Sequence, residues 1–230
     1  MKTKIICTIG PASRNPSVLK KLVKEGMSIA RINTKYGNEK EFEKIINDLN
    51  KIDSVKILID IKSLKFINWL KKQKIDYLAV SFAESSEKIE KIRKLILPNK
   101  IKIISKIETK KGIDNIDELI KVSEGIMVAR GDLGENIPLA ELPLFQKIIV
   151  KKCNRKRKMV ITATEMLLSM VNSKIPKRSE VSDVANAVLD GSDALMLSEE
   201  TAIGKHPALA VRIMGEIIRE TEKKGKFLKH

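Results

Sequence analysis

Aromatic residues are scarce in this chain, at 3% of the total. That argues against a surface built for nucleic acid, which usually adds a recognisable module or stacking aromatics to its positive charge. Cysteine is nearly absent as well, and Cys7 and Cys153 stand at no metal-ligand spacing. This argues against a disulfide framework and suits a reducing compartment, so the cytoplasm is the expected address. No stretch approaches the roughly 18 apolar residues of a membrane span. Residues 1–4 lead straight into a strand-like run, with no apolar core to read as a secretory leader. Neither a nucleic-acid partner nor a membrane is expected.

What is present in excess is positive charge: 45 basic against 29 acidic residues, a net +16. Such a field attracts polyanions, including phosphorylated metabolites. Much of the lysine sits at solvent-like helix positions, as in KKLVKEG and KKQK, and reads as solvated surface. The densest run, residues 151–158, falls at the expected end of a helix, where the helix dipole favours cations. A dedicated polyanion site there is the less economical reading. Apolar residues make up 43% of the 230, enough for the full core of one large domain.

Eight short β-branched or apolar runs recur at residues 4–9, 28–33, 55–60, 76–82, 101–107, 125–130, 159–164 and 194–198. Amphipathic segments lie between them. In residues 38–49, for example, Phe42, Ile45, Ile46 and Leu49 share one helical face. Continuous apolar strands alternating with helices imply a parallel sheet covered by helices. Eight units close naturally into a (β/α)8 TIM barrel of one domain, with an open doubly wound sheet as the competitor. Chemistry in such barrels gathers at the carboxyl ends of the strands. Those ends carry Arg31 and Asn33, Asp60 and Lys62, Lys106 and Glu108, Arg130 and Asp132, Thr162 and Thr164, then Ser198 and Glu200. Many fall two residues apart and so share a side of the strand. The competing reading of this polar rim is ordinary solvated loop.

The strongest local signal is Lys106 and Glu108 followed by Arg130, Gly131 and Asp132. Glu108 and Asp132 leave adjacent strands, and two converging carboxylates suit Mg2+ (or Mn2+), which fills its other positions with water or substrate oxygens. Lys106 projects to the same side as Glu108, where it could neutralise a transferring phosphoryl group. Gly131 lets the backbone approach an anion, and a short helix starting near Leu133 would aim its positive end there. The alternative is an ion-pair cluster tying three loops together. Thr164 places a hydroxyl on the rim or caps a following helix. Glu200 and Thr201 read equally well as a helix start.

The strings CTIGPAS, SKIE, MVARGDLG, ATEML and RSEVSDVANAVLDGSDALMLSEETA occur in order. Together they closely resemble the pyruvate kinase family, over residues 2 to about 222. The resemblance implies a glycolytic phosphotransferase that passes the phosphoryl group of phosphoenolpyruvate to ADP, giving ATP and pyruvate. It assigns Glu108 and Asp132 to the divalent metal and Lys106 to phosphoryl transfer. It assigns the backbone of Ala129, Arg130, Gly131 and Asp132 to the substrate carboxylate, and Thr164 to the site where the enolate methylene is protonated. Arg31 would contact phosphate, including that of the nucleotide, while Asn33 and Asp60 match ligands of a monovalent cation. No histidine is required, which fits a chain holding only His206 and His230.

Departures from the family pattern are equally specific. The family's NFSHG reads Asn33, Thr34, Lys35, Tyr36, Gly37. Lys35 stands where a serine would bind potassium, either replacing that ion with its ammonium or pointing to solvent, so a K+ requirement is doubtful. Tyr36 stands where a histidine would contact nucleotide. After Asp60, Ile61 and Lys62 the chain enters the next barrel helix, leaving no room for the β lid domain the family inserts at about residue 62. The resemblance thus covers a barrel of residues 1–230 without that lid and without a C-terminal regulatory domain. Glu165 and Glu199 replace a glutamine and a glycine, adding negative charge near an anion site. The expectation is a minimal, slow and potassium-independent pyruvate kinase. Its alternatives are a metal-dependent pyruvate-enolate enzyme of the oxaloacetate decarboxylase or aldolase type, and a non-catalytic metabolite-binding or partner protein. A homo-oligomer is compatible with each.

Overall fold

The computed structural model describes residues 1–52 and 54–225; His230 lies outside them. Eight parallel strands close into a barrel in chain order. They are β1 (Lys4–Thr8), β2 (Met27–Asn33), β3 (Lys56–Ile61), β4 (Tyr77–Val80), β5 (Lys102–Ile107), β6 (Gly125–Ala129), β7 (Met159–Ala163) and β8 (Ala194–Leu197). Around them run α1 (Pro16–Glu25), α2 (Glu39–Leu49), α3 (Ile67–Leu70), α4 (Ser86–Ile96), α5 (Lys110–Asp114) and α6 (Ile116–Val122). The circuit is completed by α7 (Arg130–Asn136), α8 (Leu142–Arg155), α9 (Arg178–Asp190), α10 (Glu199–Ala202) and α11 (Pro207–Lys224). The expected TIM barrel is the observed fold, and β1 pairs with both β2 and β8 to seal it. No helix among the described residues is long and apolar enough to cross a membrane.

The expected helix at residues 38–49 forms as α2, with Asn38 as its cap accepting the Glu41 N–H. Phe42, Ile45, Ile46 and Leu49 are all buried against the sheet. The β3–β4 connection is short: a 3-10 turn at Leu64–Phe66 runs directly into α3. There Phe42, Phe66 and Trp69 pack with ring centroids 5.8 to 6.3 Å apart, concentrating three of the chain's few aromatics at one helix junction.

Strand alternation divides the core in two. Ile6, Ile29, Leu58, Ala79, Ile104, Met127, Ile161 and Met196 fill the barrel interior, while the opposite set packs under the helices. Two residues further along, on the same inward side, six strands or their continuations turn polar: Ile6 to Thr8, Ile29 to Arg31, Leu58 to Asp60, Ala79 to Ser81, Ile104 to Lys106 and Met196 to Ser198. By the same count β6 and β7 carry only Ala129 and Ala163, both buried. One side of the carboxyl-end floor is therefore polar and filled, and the other is low. That asymmetry leaves room for a cleft.

Two members of the expected rim face the other way. Thr162 is fully buried outside the barrel and bonds Ser192 at 2.8 Å. Arg130 reaches into the helical layer, where it meets Asp183 of α9 at 2.7 Å. Both lie one residue out of phase with the inward set, which fixes their direction.

Candidate active site

Lys106 occupies the centre of the floor. Its Nζ lies 3.2 Å from Asp60 Oδ1, 3.0 Å from Ser81 Oγ and 2.7 Å from Glu108 Oε1. Arg31 donates two N–H groups to Asp60 Oδ2, at 2.8 and 2.9 Å, and a third to Thr8 Oγ1 at 2.9 Å. The four charged side chains are almost entirely removed from solvent. Burial by itself would raise the Asp60 carboxyl, but the charges and hydrogen bonds of Arg31 and Lys106 outweigh it and hold the group below the usual carboxylate range.

Glu108 shows the opposite balance. Burial pushes its carboxyl upward against the pull of Lys106 and of the Phe82 N–H, and the charge of Asp132 adds to the rise. Its Oε2 accepts that Phe82 N–H at 2.6 Å, and Oε1 faces the Lys106 ammonium at 2.7 Å. Asp132, in the first turn of α7, is half-buried and lines the cleft, and no ion pair engages it among the described residues. Two carboxylates thus stand close enough to feel each other, one held by a single ammonium and, among the described residues, one without a cationic partner.

This donor set fits a divalent cation. The two carboxylates of Asp60 and Glu108 balance Arg31 and Lys106, and Asp132 leaves the cluster one negative charge in excess, which a dication reverses. Among the described residues no group of three or more His, Cys, Asp or Glu converges. The protein would supply few ligands, as Mg2+ sites that keep positions for substrate oxygens do.

The donors expected for a monovalent cation are already engaged. Asp60 is held by Arg31 and Lys106, and Asn33 Oδ1 accepts the Lys35 N–H at 3.0 Å to fix its own turn. Lys35 is exposed, with its ammonium 5.2 Å above the Tyr36 ring, and makes no ion pair with Asp60. The cations beside Asp60 are Arg31 and Lys106, not Lys35.

Thr164 closes the low side of the floor. Its Oγ1 accepts the Gly131 N–H at 2.8 Å and donates to the Ala163 carbonyl at 2.6 Å. Thr164 and Glu165 sit at φ 69° and 54°, left-handed backbone that a β-branched residue rarely adopts. No helix follows directly, so the capping role is not what the structure contains; a 3-10 turn begins only at Leu168. Arg130 secures this corner by donating to the Thr164 carbonyl at 2.7 Å and to Ala163 at 3.3 Å. Its guanidinium therefore positions the loop, and of Ala129 to Asp132 only Asp132 lines the cleft. That helix begins at Arg130, three residues earlier than its sequence signal.

The cleft above these groups measures about 620 Å3. Arg31, Asn33, Lys62, Lys106, Asp132 and Thr164 all line it, together with Lys35 and Tyr36 at the outer edge. Glu199 lines it too, whereas Glu165 points into solvent, so only one of the two extra acids bears on the site. Glu200 is fully buried in α10, the expected helix start, and accepts the N–H groups of Leu167 and Ser198 at 3.0 and 2.7 Å. It holds the β7 and β8 loops together below the cleft. Three contributors escaped the reading of the sequence: Thr8, Ser81 and Phe82. Counting by twos from the inward apolar residues would have found Thr8 and Ser81. Phe82 acts through its N–H at φ 50°, which its side chain does not announce.

Comparison with known proteins gives the same direction. The family model for the pyruvate kinase barrel domain matches residues 1–65 and 58–211, two pieces that meet at the β3–β4 connection. A pyruvate kinase of Thermoplasma acidophilum is 33% identical over 323 aligned positions, covering 99% of this chain and 59% of that protein. Pyruvate kinases of Clostridium acetobutylicum and Geobacillus stearothermophilus are 51% and 50% identical over 154 residues, or 66% of this chain. They are covered over 33% and 26% of their own lengths. The chain spans little more than half of the curated relatives it matches along its whole length. With its barrel, its floor of charged residues and these matches together, the chain belongs to the pyruvate kinase family.

Proposed function

We propose that this barrel transfers the phosphoryl group of phosphoenolpyruvate to ADP, slowly and without a potassium requirement. The observation that carries the reading is the position of Lys106. Its ammonium is held by Asp60, Ser81 and Glu108 on the floor of a cleft whose wall presents Asp132 and Thr164. Phosphoryl transfer asks mainly for positioning and charge neutralisation. Lys106 and Arg31 supply fixed positive charge to the phosphoryl oxygens, and Asp60 fixes both of them. The backbone from Ala129 to Asp132 holds the substrate carboxylate. A divalent cation on Glu108 and Asp132 would supply Lewis-acid stabilisation of the negative charge left on the enolate oxygen. Thr164 lies where the enolate methylene takes its proton: rotation of its hydroxyl away from the Ala163 carbonyl turns the donor toward the cleft.

Potassium independence follows from the state of Asp60. Both of its oxygens are engaged by Arg31 and Lys106, and Asn33 is committed to its own turn. Slowness follows from the short β3–β4 connection, which puts no lid over the cleft to exclude water.

A lactate-dehydrogenase-coupled assay with phosphoenolpyruvate, ADP and Mg2+ tests this. Turnover above a Lys106→Ala control is expected, equal in K+ and Na+. Exchange of pyruvate methyl protons with deuterated water in the absence of ADP isolates the enolate half. Exchange without phosphoryl transfer would replace the proposal with a pyruvate-enolate enzyme, and silence in both assays would leave a binding protein.

A further inference from the structure

The amino-terminal mouth of the barrel, opposite the cleft, is a second concavity of about 590 Å3. Lys4, Lys102, Arg157 and Lys158 line it, with Glu124, Asp193, Asn154, Tyr77 and Met159. Both acids are engaged, Glu124 by a cation and Asp193 by a backbone N–H. Glu124 is paired with Arg93 at 2.9 Å and accepts the Ile103 N–H at 2.7 Å. Asp193 accepts the Val160 N–H at 2.8 Å. Lys158 donates to the Ser123 carbonyl at 2.6 Å. Among the described residues Lys4, Lys102 and Arg157 form no ion pair, and all three are exposed.

Arg157 is held there against its backbone preference. It follows the last turn of α8, with Lys158 N–H bonded to Cys153 O and Arg157 N–H to Asn154 O, the paired bonds of a helix stop that calls for left-handed backbone. Arg157 adopts φ 54°. The same pair of bonds ends α9, Ser192 to Ala187 and Gly191 to Val188, and there the residue is glycine at φ 98°. One fold therefore uses glycine at this kind of stop and arginine at the stop that faces the mouth. Strained residues of this kind are tolerated where the side chain has a task.

We propose that the amino-terminal mouth binds a small molecule carrying several phosphate groups. A pocket of this volume suits a metabolite-sized ligand, and unpaired cations on strand starts from opposite sides of the barrel enclose one anion rather than track a chain. The mouth's aromatic, Tyr77, is 4% exposed with the Lys56 ammonium 5.6 Å from its ring, so it offers no stacking face to a nucleic acid. The site is independent of the phosphotransferase reading.

Methyl-13C methionine labelling reports on it directly, because Met159 lines the mouth. The signal is assigned with Met159→Leu, and inorganic tripolyphosphate is titrated at constant ionic strength. The Met159 signal is expected to shift saturably. Arg157→Gly is expected to weaken that titration at least fivefold while the thermal midpoint without ligand holds or rises, and Lys102→Gln to weaken it as well. The proposal is overturned if the Met159 signal stays still, or if Arg157→Gly titrates like the parent. It is equally overturned if Arg157→Gly lowers the midpoint, or if a single-stranded oligonucleotide moves Met159 as strongly at equal phosphate concentration.

Discussion

Gly131 donates its N–H to Thr164 Oγ1 at 2.8 Å, tying the first turn of α7 to the loop that leaves β7. The bond aligns the backbone assigned to the substrate carboxylate with the hydroxyl assigned to the enolate methylene. Thr164→Ala removes both the tie and the proton donor. Pyruvate methyl exchange is expected to fall at least tenfold, about 1.4 kcal/mol of barrier, while Thr164→Ser retains most of it. Equal rates for parent and alanine variant would remove Thr164 from the chemistry.

Lys106 is also a structural keystone. Taking it away leaves Asp60 with Arg31 alone and Glu108 without a cation, both buried. Losing one partner of a buried pair costs about 3–5 kcal/mol, and urea unfolding of Lys106→Ala should show a drop of that order. The activity control therefore has to be run well below the variant's unfolding midpoint.

Potassium supplies a sharp test because Lys35 lies over Tyr36 and not beside Asp60. Lys35→Ser is expected to leave the response to K+ unchanged. A potassium requirement created by that substitution would show that Lys35 reaches Asp60 after all.

Stability should fall with pH on the alkaline side of the ordinary glutamate range. Burial raises the folded-state carboxyl of Glu200, so in that window the folded state binds more protons than the unfolded chain. Its contribution is complete below the unfolded value, about 4.3, and is lost as pH rises toward the folded value. Glu200→Gln should flatten this part of the urea-stability profile. It should also lower the whole curve, since Leu167 and Ser198 donate to different oxygens and the amide turns one of these into an NH2 donor. Metal-free Glu108 contributes with the same sign. Asp60 acts oppositely: its stabilisation is present above the unfolded aspartate value, about 3.9, and disappears as pH falls through its lowered folded value.

The barrel was legible because burial on both faces writes each strand as an unbroken apolar run, and strand limits agree with the runs to within one or two residues. Lys106, Glu108 and Asp60 were legible because a charge at the carboxyl end of an apolar strand, in phase with its inward residues, opens onto the rim. Arg130 and Thr162 were misplaced because they neighbour inward residues in sequence while pointing the other way. The left-handed turns at Phe82 and Thr164 leave no trace in side-chain chemistry, since tertiary contacts impose them on residues that do not favour them. What engages Asp60 was also invisible, because it depends on how three strands stagger.

Manganese titration followed by electron paramagnetic resonance tests the central claim, that Glu108 and Asp132 grip one divalent ion beside Lys106. One ion per chain is expected, bound more tightly when phosphoenolpyruvate is present, with Glu108→Gln and Asp132→Asn each weakening it at least tenfold. Unchanged binding in both folded variants would contradict the account.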